Sequence, residues 1–218
     1  PRPPSTCDSL ASRMQTVVTR FPERTAVIFE GQTRTWSELT REANRFAAAL
    51  KSRGLARGDS ASLVMENRIE FLTTLLALNK IGVTAALIKT NLTGRSHMHC
   101  HKITHSKIGI FGEERLDAND QVRADPELAG VTHYLYVSDS GSRDCPDWAG
   151  NLSDDAQGQD EKNPPECEQI TLGEIALNIF TSGTTGLPKA SVISNRRLLL
   201  SAALSYAGGL KCTENDRI

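Results

Sequence analysis

Short apolar runs alternating with helix-period segments constrain the fold of this chain most. SASLVM (60–65), TAALI (84–88), KIGIF (107–111) and VTHYLYV (131–137) each have the length and composition of a buried strand. Between and before them lie longer segments with apolar residues on one helical face. In TWSELTREANRFAAALKSRG, Thr35 and Glu38 have capping-box spacing, Leu39, Ala43, Phe46, Ala47 and Leu50 share a face, and Gly54 supplies a stop. In the next helical segment Asn67 is expected to cap, with Ile69, Leu72, Leu75, Leu76 and Ile81 turned inward and Gly82 ending it. GRSHMHCHKITHS is helical by periodicity, and DANDQVRADPELAG reads as a broken helix or turn region. Strands alternating with helices predict an α/β fold, with a mostly parallel sheet and flanking helices joined by crossovers.

The 218 residues suffice for one domain or part of a larger one, with 39% hydrophobic and 23% charged residues, ordinary for a globular protein. A net charge of −1 and the absence of any nucleic-acid motif argue against a nucleic-acid partner. The five cysteines, Cys7, Cys100, Cys145, Cys167 and Cys212, form no C-x-x-C pair and suggest a reduced, intracellular setting. PRPPSTCDSL lacks the apolar core of a signal peptide. The most apolar run, 71–88, is broken by Asn79, Lys80 and Gly82, which argues against a membrane span. Residues 138–169 are acidic, polar and nearly free of aliphatics, so they are expected to form a long exposed loop. That loop would join a first α/β portion (1–137) to the start of a second (170–218).

After the acidic stretch, the strand-like EIALNIF leads into TSGTTGLPK (181–189). Glycines let a backbone approach a ligand closely, and consecutive peptide N–H groups can form an anion-binding concavity. Hydroxyls from Thr181, Ser182, Thr184 and Thr185 suit phosphate oxygens, and Lys189 adds a cation. The loop is not a Walker A motif: Pro188 stands where glycine would precede the lysine, and Ala190 replaces the metal-holding hydroxyl. A plain structural turn is the other reading of these residues.

At these residues the chain resembles the adenylate-forming (AMP-binding) superfamily: acyl-CoA synthetases, luciferases and peptide-synthetase adenylation domains. MENRIEF (65–71), GVTAALIKTNL (82–92) and His99–Cys100 make it most similar to the very-long-chain acyl-CoA synthetases that double as long-chain fatty acid transport proteins. The likeness runs from Phe21 to Ile218, the acidic stretch apart. Two positions depart from it: Lys89 stands where an asparagine is usual, and Asn195 where many relatives carry a histidine.

The resemblance implies a fatty acid–CoA ligase using ATP, Mg²⁺ and coenzyme A, with a long- or very-long-chain fatty acid as substrate. It implies that Thr181, Ser182, Gly183, Thr184, Thr185, Gly186 and Lys189 bind the nucleotide's phosphates. It also implies that the chain is an N-terminal piece, inactive alone, with the catalytic lysine and C-terminal lid beyond Ile218. Membrane association, at the endoplasmic reticulum, peroxisome or plasma membrane, would come from parts outside this chain. Another adenylate-forming ligase of the peptide-synthetase type, and a non-catalytic nucleotide-binding fragment, are the alternatives. Separately, His97, His101 and His105 fall four residues apart on one helical face, a spacing able to hold zinc. The simpler reading is a polar helix face with Cys100 turned to the core.

Overall fold

A computed structural model describes residues 2–181, 186–206, 209 and 211. The chain opens with α1 (Leu10–Arg20), a hairpin of β1 (Thr25–Phe29) and β2 (Gln32–Thr35), and α2 (Trp36–Ser52). The Thr35–Glu38 capping box forms as expected, with the Glu38 N–H donating to Thr35 Oγ1 at 3.2 Å and the Thr35 N–H to Glu38 Oε2 at 2.8 Å. Next come β3 (Ser60–Val64), α3 (Ile69–Lys80), β4 (Thr84–Leu87), α4 (Gly94–Ile103), β5 (Ile108–Gly112), α5 (Leu116–Asp120) and β6 (His133–Val137). The chain continues through β7 (Gly150–Asn151), α6 (Leu152–Asp155), β8 (Ile175–Thr181), β9 (Lys189–Ser194) and α7 (Asn195–Ser205).

Strands β3 to β9 form one sheet in the order β7-β6-β5-β3-β4-β8-β9, parallel throughout except for β9, which runs antiparallel to β8. The apolar runs read from the sequence are its central strands, and successive residues serve opposite faces. Leu63, Ala85, Ile110 and Leu135 join Phe46 and Leu50 of α2 and Leu78 of α3 on one side. Val64, Ala86, Phe111 and Tyr136 join Cys100 of α4 on the other. Gly109 belongs to that second face: a Cβ there would stand 2.8 Å from the Tyr134 ring, so the site admits no side chain. Gly82, at φ +70°, ends α3 as expected.

Three local expectations need correction. Asn67 does not cap α3; Arg68 holds that position without a side-chain cap bond, because its buried guanidinium turns to Glu114 (2.8 Å) and the Val137 carbonyl (3.2 Å). Leu72 is exposed, although Ile69, Leu76 and Ile81 are buried as expected.

The third concerns residues 138–169, which are not an exposed structureless loop. They contain β7, α6 and a 3₁₀ turn at Pro165–Glu168, and they bury Leu152, Ala156 and Cys167. The missing aliphatic content is offset by ion pairs to α2 and the residue after it: Arg45–Glu161, Lys51–Glu166 and a two-pronged Arg53–Asp155 contact at 2.8 and 2.9 Å. Lys80 is buried as well, its Nζ donating to Asn163 Oδ1 at 2.7 Å.

Candidate functional site

Because β3, β4 and β8 are parallel, their carboxyl ends share one edge, the edge where open α/β sheets bind ligands. The β8–β9 hairpin stands there. Its last pair is Thr181↔Lys189, so the first and last residues of TSGTTGLPK face each other across its base. Both are exposed, Gly186 is exposed at φ +89°, a backbone region that favours glycine, and Pro188 is buried. Ser182, Gly183, Thr184 and Thr185 lie outside the described residues.

Two clefts that share Lys89 open at this edge. One, of about 230 Å³, is lined by Lys89, Asn91, Ser96, Thr181, Gly186 and Pro188, among others. The other, of about 460 Å³, has Met65, Glu66, Asn67, Phe71, Leu87 and Lys89 in its walls. The larger cleft of about 530 Å³ between α2 and residues 153–161 lies away from this edge, and pairs such as Arg34–Glu42 (2.8 Å) already neutralise its charges. Among the described residues, neither Lys89 nor Lys189 has a side-chain hydrogen bond or ion pair. The cleft at the hairpin base therefore bears an ammonium and hydroxyls and is open, and Glu66 lies in the cleft next to it.

Asn195, one of the departures from the resemblance, is structural. It is buried at the start of α7, where its Oδ1 accepts from the Leu10 N–H at 3.4 Å and its Nδ2 donates to the carbonyls of Thr171 and Glu174, both at 3.3 Å.

Beyond β5 the same edge carries a second device that the sequence reading missed. The Glu113 carboxylate accepts from the N–H groups of Asp139 (2.8 Å), Gly141 (3.0 Å), Ser142 (2.8 Å) and Arg143 (3.0 Å) and from the Ser140 and Ser142 hydroxyls. The bond from Ser142, followed by the backbone donors, holds its pKa far below the usual carboxylate range. The alternating serine and glycine in SDSGSR, able to aim successive N–H groups at one anion, was the available signal. Glu113→Gln is expected to cost about 1.5–3 kcal/mol, since the acceptor loses its charge and one oxygen becomes a donor. Urea unfolding at pH 7 measures it; no change in midpoint would mean the loop is not anchored there.

The three histidines do not form a shared polar face. His97 and His101 are buried and in contact, with Nε2 atoms 3.1 Å apart. His105 is exposed beyond the end of α4 at φ +49°. His101 Nδ1 lies 2.7 Å from Ser62 Oγ, and His97 Nε2 lies 3.3 Å from Asn119 Oδ1. The described residues contain no group of three His, Cys, Asp or Glu side chains arranged to hold a metal ion. Cys100 faces the core as expected, and burial pushes its thiol up to about 12.

Comparison with known proteins decides the family. The model of the AMP-binding enzyme family matches residues 14–218. The chain belongs to the AMP-binding enzyme family. Long-chain fatty acid transport protein 2 of Rattus norvegicus is 30% identical over 195 residues, 88% of this chain and 31% of the relative. Medium/long-chain-fatty-acid–CoA ligase FadD6 of Mycobacterium tuberculosis is 27% identical over 216 residues, 99% of this chain and 34% of the relative. The chain thus spans about a third of the length of these AMP-binding relatives. Among solved structures, the anthranilate CoA ligase AuaEII in complex with anthranoyl-AMP superposes with a TM-score of 0.88 at 21% identity, covering 99% of this chain and 40% of that one. The inhibitor-bound N-terminal domain of FACL13 from Mycobacterium tuberculosis gives 0.80 at 24%, covering 96% and 50%. These likenesses show the fold.

Proposed function

We propose that this chain supplies the phosphate-binding part of a fatty-acid-activating, AMP-forming ligase. The observation carrying the proposal is the β8–β9 hairpin, whose base pairs Thr181 with Lys189 at the carboxyl edge of the parallel sheet. In this reading Thr181, Ser182, Thr184 and Thr185 contact the β- and γ-phosphates of ATP. Gly183 and Gly186 let the backbone approach, and Lys189 offsets the charge. A carboxylate oxygen attacks the α-phosphorus as the bond to pyrophosphate breaks, giving an acyl-adenylate. The thiol of coenzyme A then attacks the acyl carbon and AMP leaves. Magnesium enters only as the nucleotide's counter-ion, with no side chain among the described residues assigned to it.

The substrate class, a long- or very-long-chain fatty acid, rests on the names of the relatives: a long-chain fatty acid transport protein and a medium/long-chain-fatty-acid–CoA ligase. Among the described residues no helix is long and apolar enough to cross a membrane. Membrane association is assigned to parts of the protein outside this chain.

The test is carboxylate-dependent ATP–pyrophosphate exchange by the protein at its full natural length, across fatty, aryl and amino acids. Exchange driven by long-chain fatty acids is expected; exchange driven by amino acids alone would favour the peptide-synthetase type and overturn the substrate class. In the same assay Lys189→Ala is expected to lower efficiency with ATP about tenfold or more, since a charge-assisted contact is worth roughly 1.5–3 kcal/mol. The KM for the fatty acid should stay put. An unchanged constant for ATP would remove Lys189 from the phosphate site.

A further inference from the structure

We infer that Lys89 is a second cation of the phosphate subsite, binding the pyrophosphate end of the nucleotide from the strand opposite the hairpin. The inference rests on the phosphate-binding reading above and extends it to a residue outside TSGTTGLPK.

Lys89 is the second residue beyond β4, the strand paired with β8. Its backbone is held on both sides. The buried Ile88 donates its N–H to the Leu63 carbonyl at 3.0 Å, and the Lys89 carbonyl accepts from the Leu92 N–H at 3.2 Å. A side chain based there is exposed, yet it lines the same 230 Å³ cleft as Thr181 and Gly186 of the hairpin base. The cleft's other polar residues are Asn91, Ser96 and Thr181, an amide and two hydroxyls, and among the described residues no carboxylate lines it. Within the 230 Å³ cleft an ammonium stands among hydroxyl and amide donors and makes no ion pair among the described residues, which is the donor set of a phosphate site. Of the carboxylates near this edge, Glu113 is held in its loop cradle and Glu114 by Arg68 and the Glu66 N–H, while Glu66 lines the neighbouring 460 Å³ cleft that Lys89 also borders. An ammonium on a four-carbon stem can follow a triphosphate as its charge redistributes, which a shorter amide at this position could not do.

The experiment titrates the protein at its full natural length with Mg-ATP, Mg-pyrophosphate and AMP by calorimetry, using the wild type, Lys89→Ala, Lys89→Arg and Lys189→Ala. Lys89→Ala is expected to weaken ATP and pyrophosphate binding about tenfold, to leave AMP binding unchanged and to flatten the salt dependence of ATP binding. Lys89→Arg should restore most of the loss. If Lys89→Ala binds ATP and pyrophosphate like the wild type while Lys189→Ala does not, the inference is overturned and the phosphate-loop reading stands. If neither variant changes pyrophosphate binding, the phosphate-loop reading itself fails. An equal loss for AMP and ATP would mean that Lys89 shapes the cleft and does not meet the phosphates, which also overturns the inference.

Discussion

Unfolding of this chain is expected to become much easier as pH falls from 6.5 toward 4, beginning above the range where most carboxylates titrate. The cause is the buried pair on α4. Burial holds the pKa of His97 down to about 4, with the nearby Arg115 charge adding to the effect. Burial next to His97 holds His101 down to about 3. Around them the facing groups are Ser62 of β3, Asn119 of α5 and the ring of Tyr134 of β6, none of them an anion able to balance an imidazolium. Once unfolded, both rings titrate near 6.5, so across this window the unfolded chain binds more protons than the folded one. The sign follows: stability is full above about pH 6.5 and is lost as pH falls toward the folded values. Each ring contributes about 1.4 kcal/mol per pH unit well below 6.5, so two rings over two units cost roughly 5 kcal/mol, a large share of a typical domain's stability. Urea unfolding at pH 7.5, 6.0 and 5.0 gives the slope, and calorimetry in buffers of different ionisation enthalpy counts the protons taken up. Uptake near two protons at pH 5 is expected. A flat stability profile from pH 7 to 5 would mean that the pair is solvated or already charged in the folded chain.

That buried pair also shows where the sequence was readable and where it was not. Residues 97, 101 and 105 do recur at helical spacing, but whether such a face meets water or the sheet depends on the strand laid against it. Ser62, which gives His101 a partner, stands 39 residues away in the sequence. The central strands and α2 were legible because their causes are local: unbroken apolar runs, a Thr–Glu capping box, a glycine stop. Residues 138–169 were misread because their order comes from partners about a hundred residues earlier, Arg45, Lys51 and Arg53, which composition within the segment cannot reveal. The residue types of TSGTTGLPK suggest phosphate chemistry, and the hairpin adds what they could not, the position of Thr181 and Lys189 at the carboxyl edge of the sheet. Lys89 was legible only as an odd residue; the cleft it shares with Thr181 depends on the pairing of β4 with β8, whose sequences lie ninety residues apart.

Leu152→Ala should be among the most damaging single changes in the chain, at about 2–5 kcal/mol. On composition alone it ought to be harmless, since Leu152 is an isolated aliphatic in the most acidic stretch of the sequence. In the fold it is fully buried and belongs to the same cluster as Phe46, Leu50, Leu135 and Val137, between α2 and the sheet. Its position is fixed by Asn151, whose Oδ1 accepts from the Ser153 N–H at 3.0 Å and so starts α6 beside β7. Truncation to alanine removes that side chain from a core that α2 and β6 hold rigidly, so the void can close only in part. The neighbouring Asp154→Ala, at an exposed position, should shift stability by no more than about 0.5 kcal/mol and serves as the control. Limited proteolysis separates this from a mere loss of local order: the wild type should resist cleavage within 150–168, while Leu152→Ala should be cut there at protease levels that leave Asp154→Ala whole. If Leu152→Ala and Asp154→Ala behave alike, and the wild type is cut within 150–168 without unfolding, the segment is a solvated spacer and the ion pairs to Arg45, Lys51 and Arg53 do not hold it in solution.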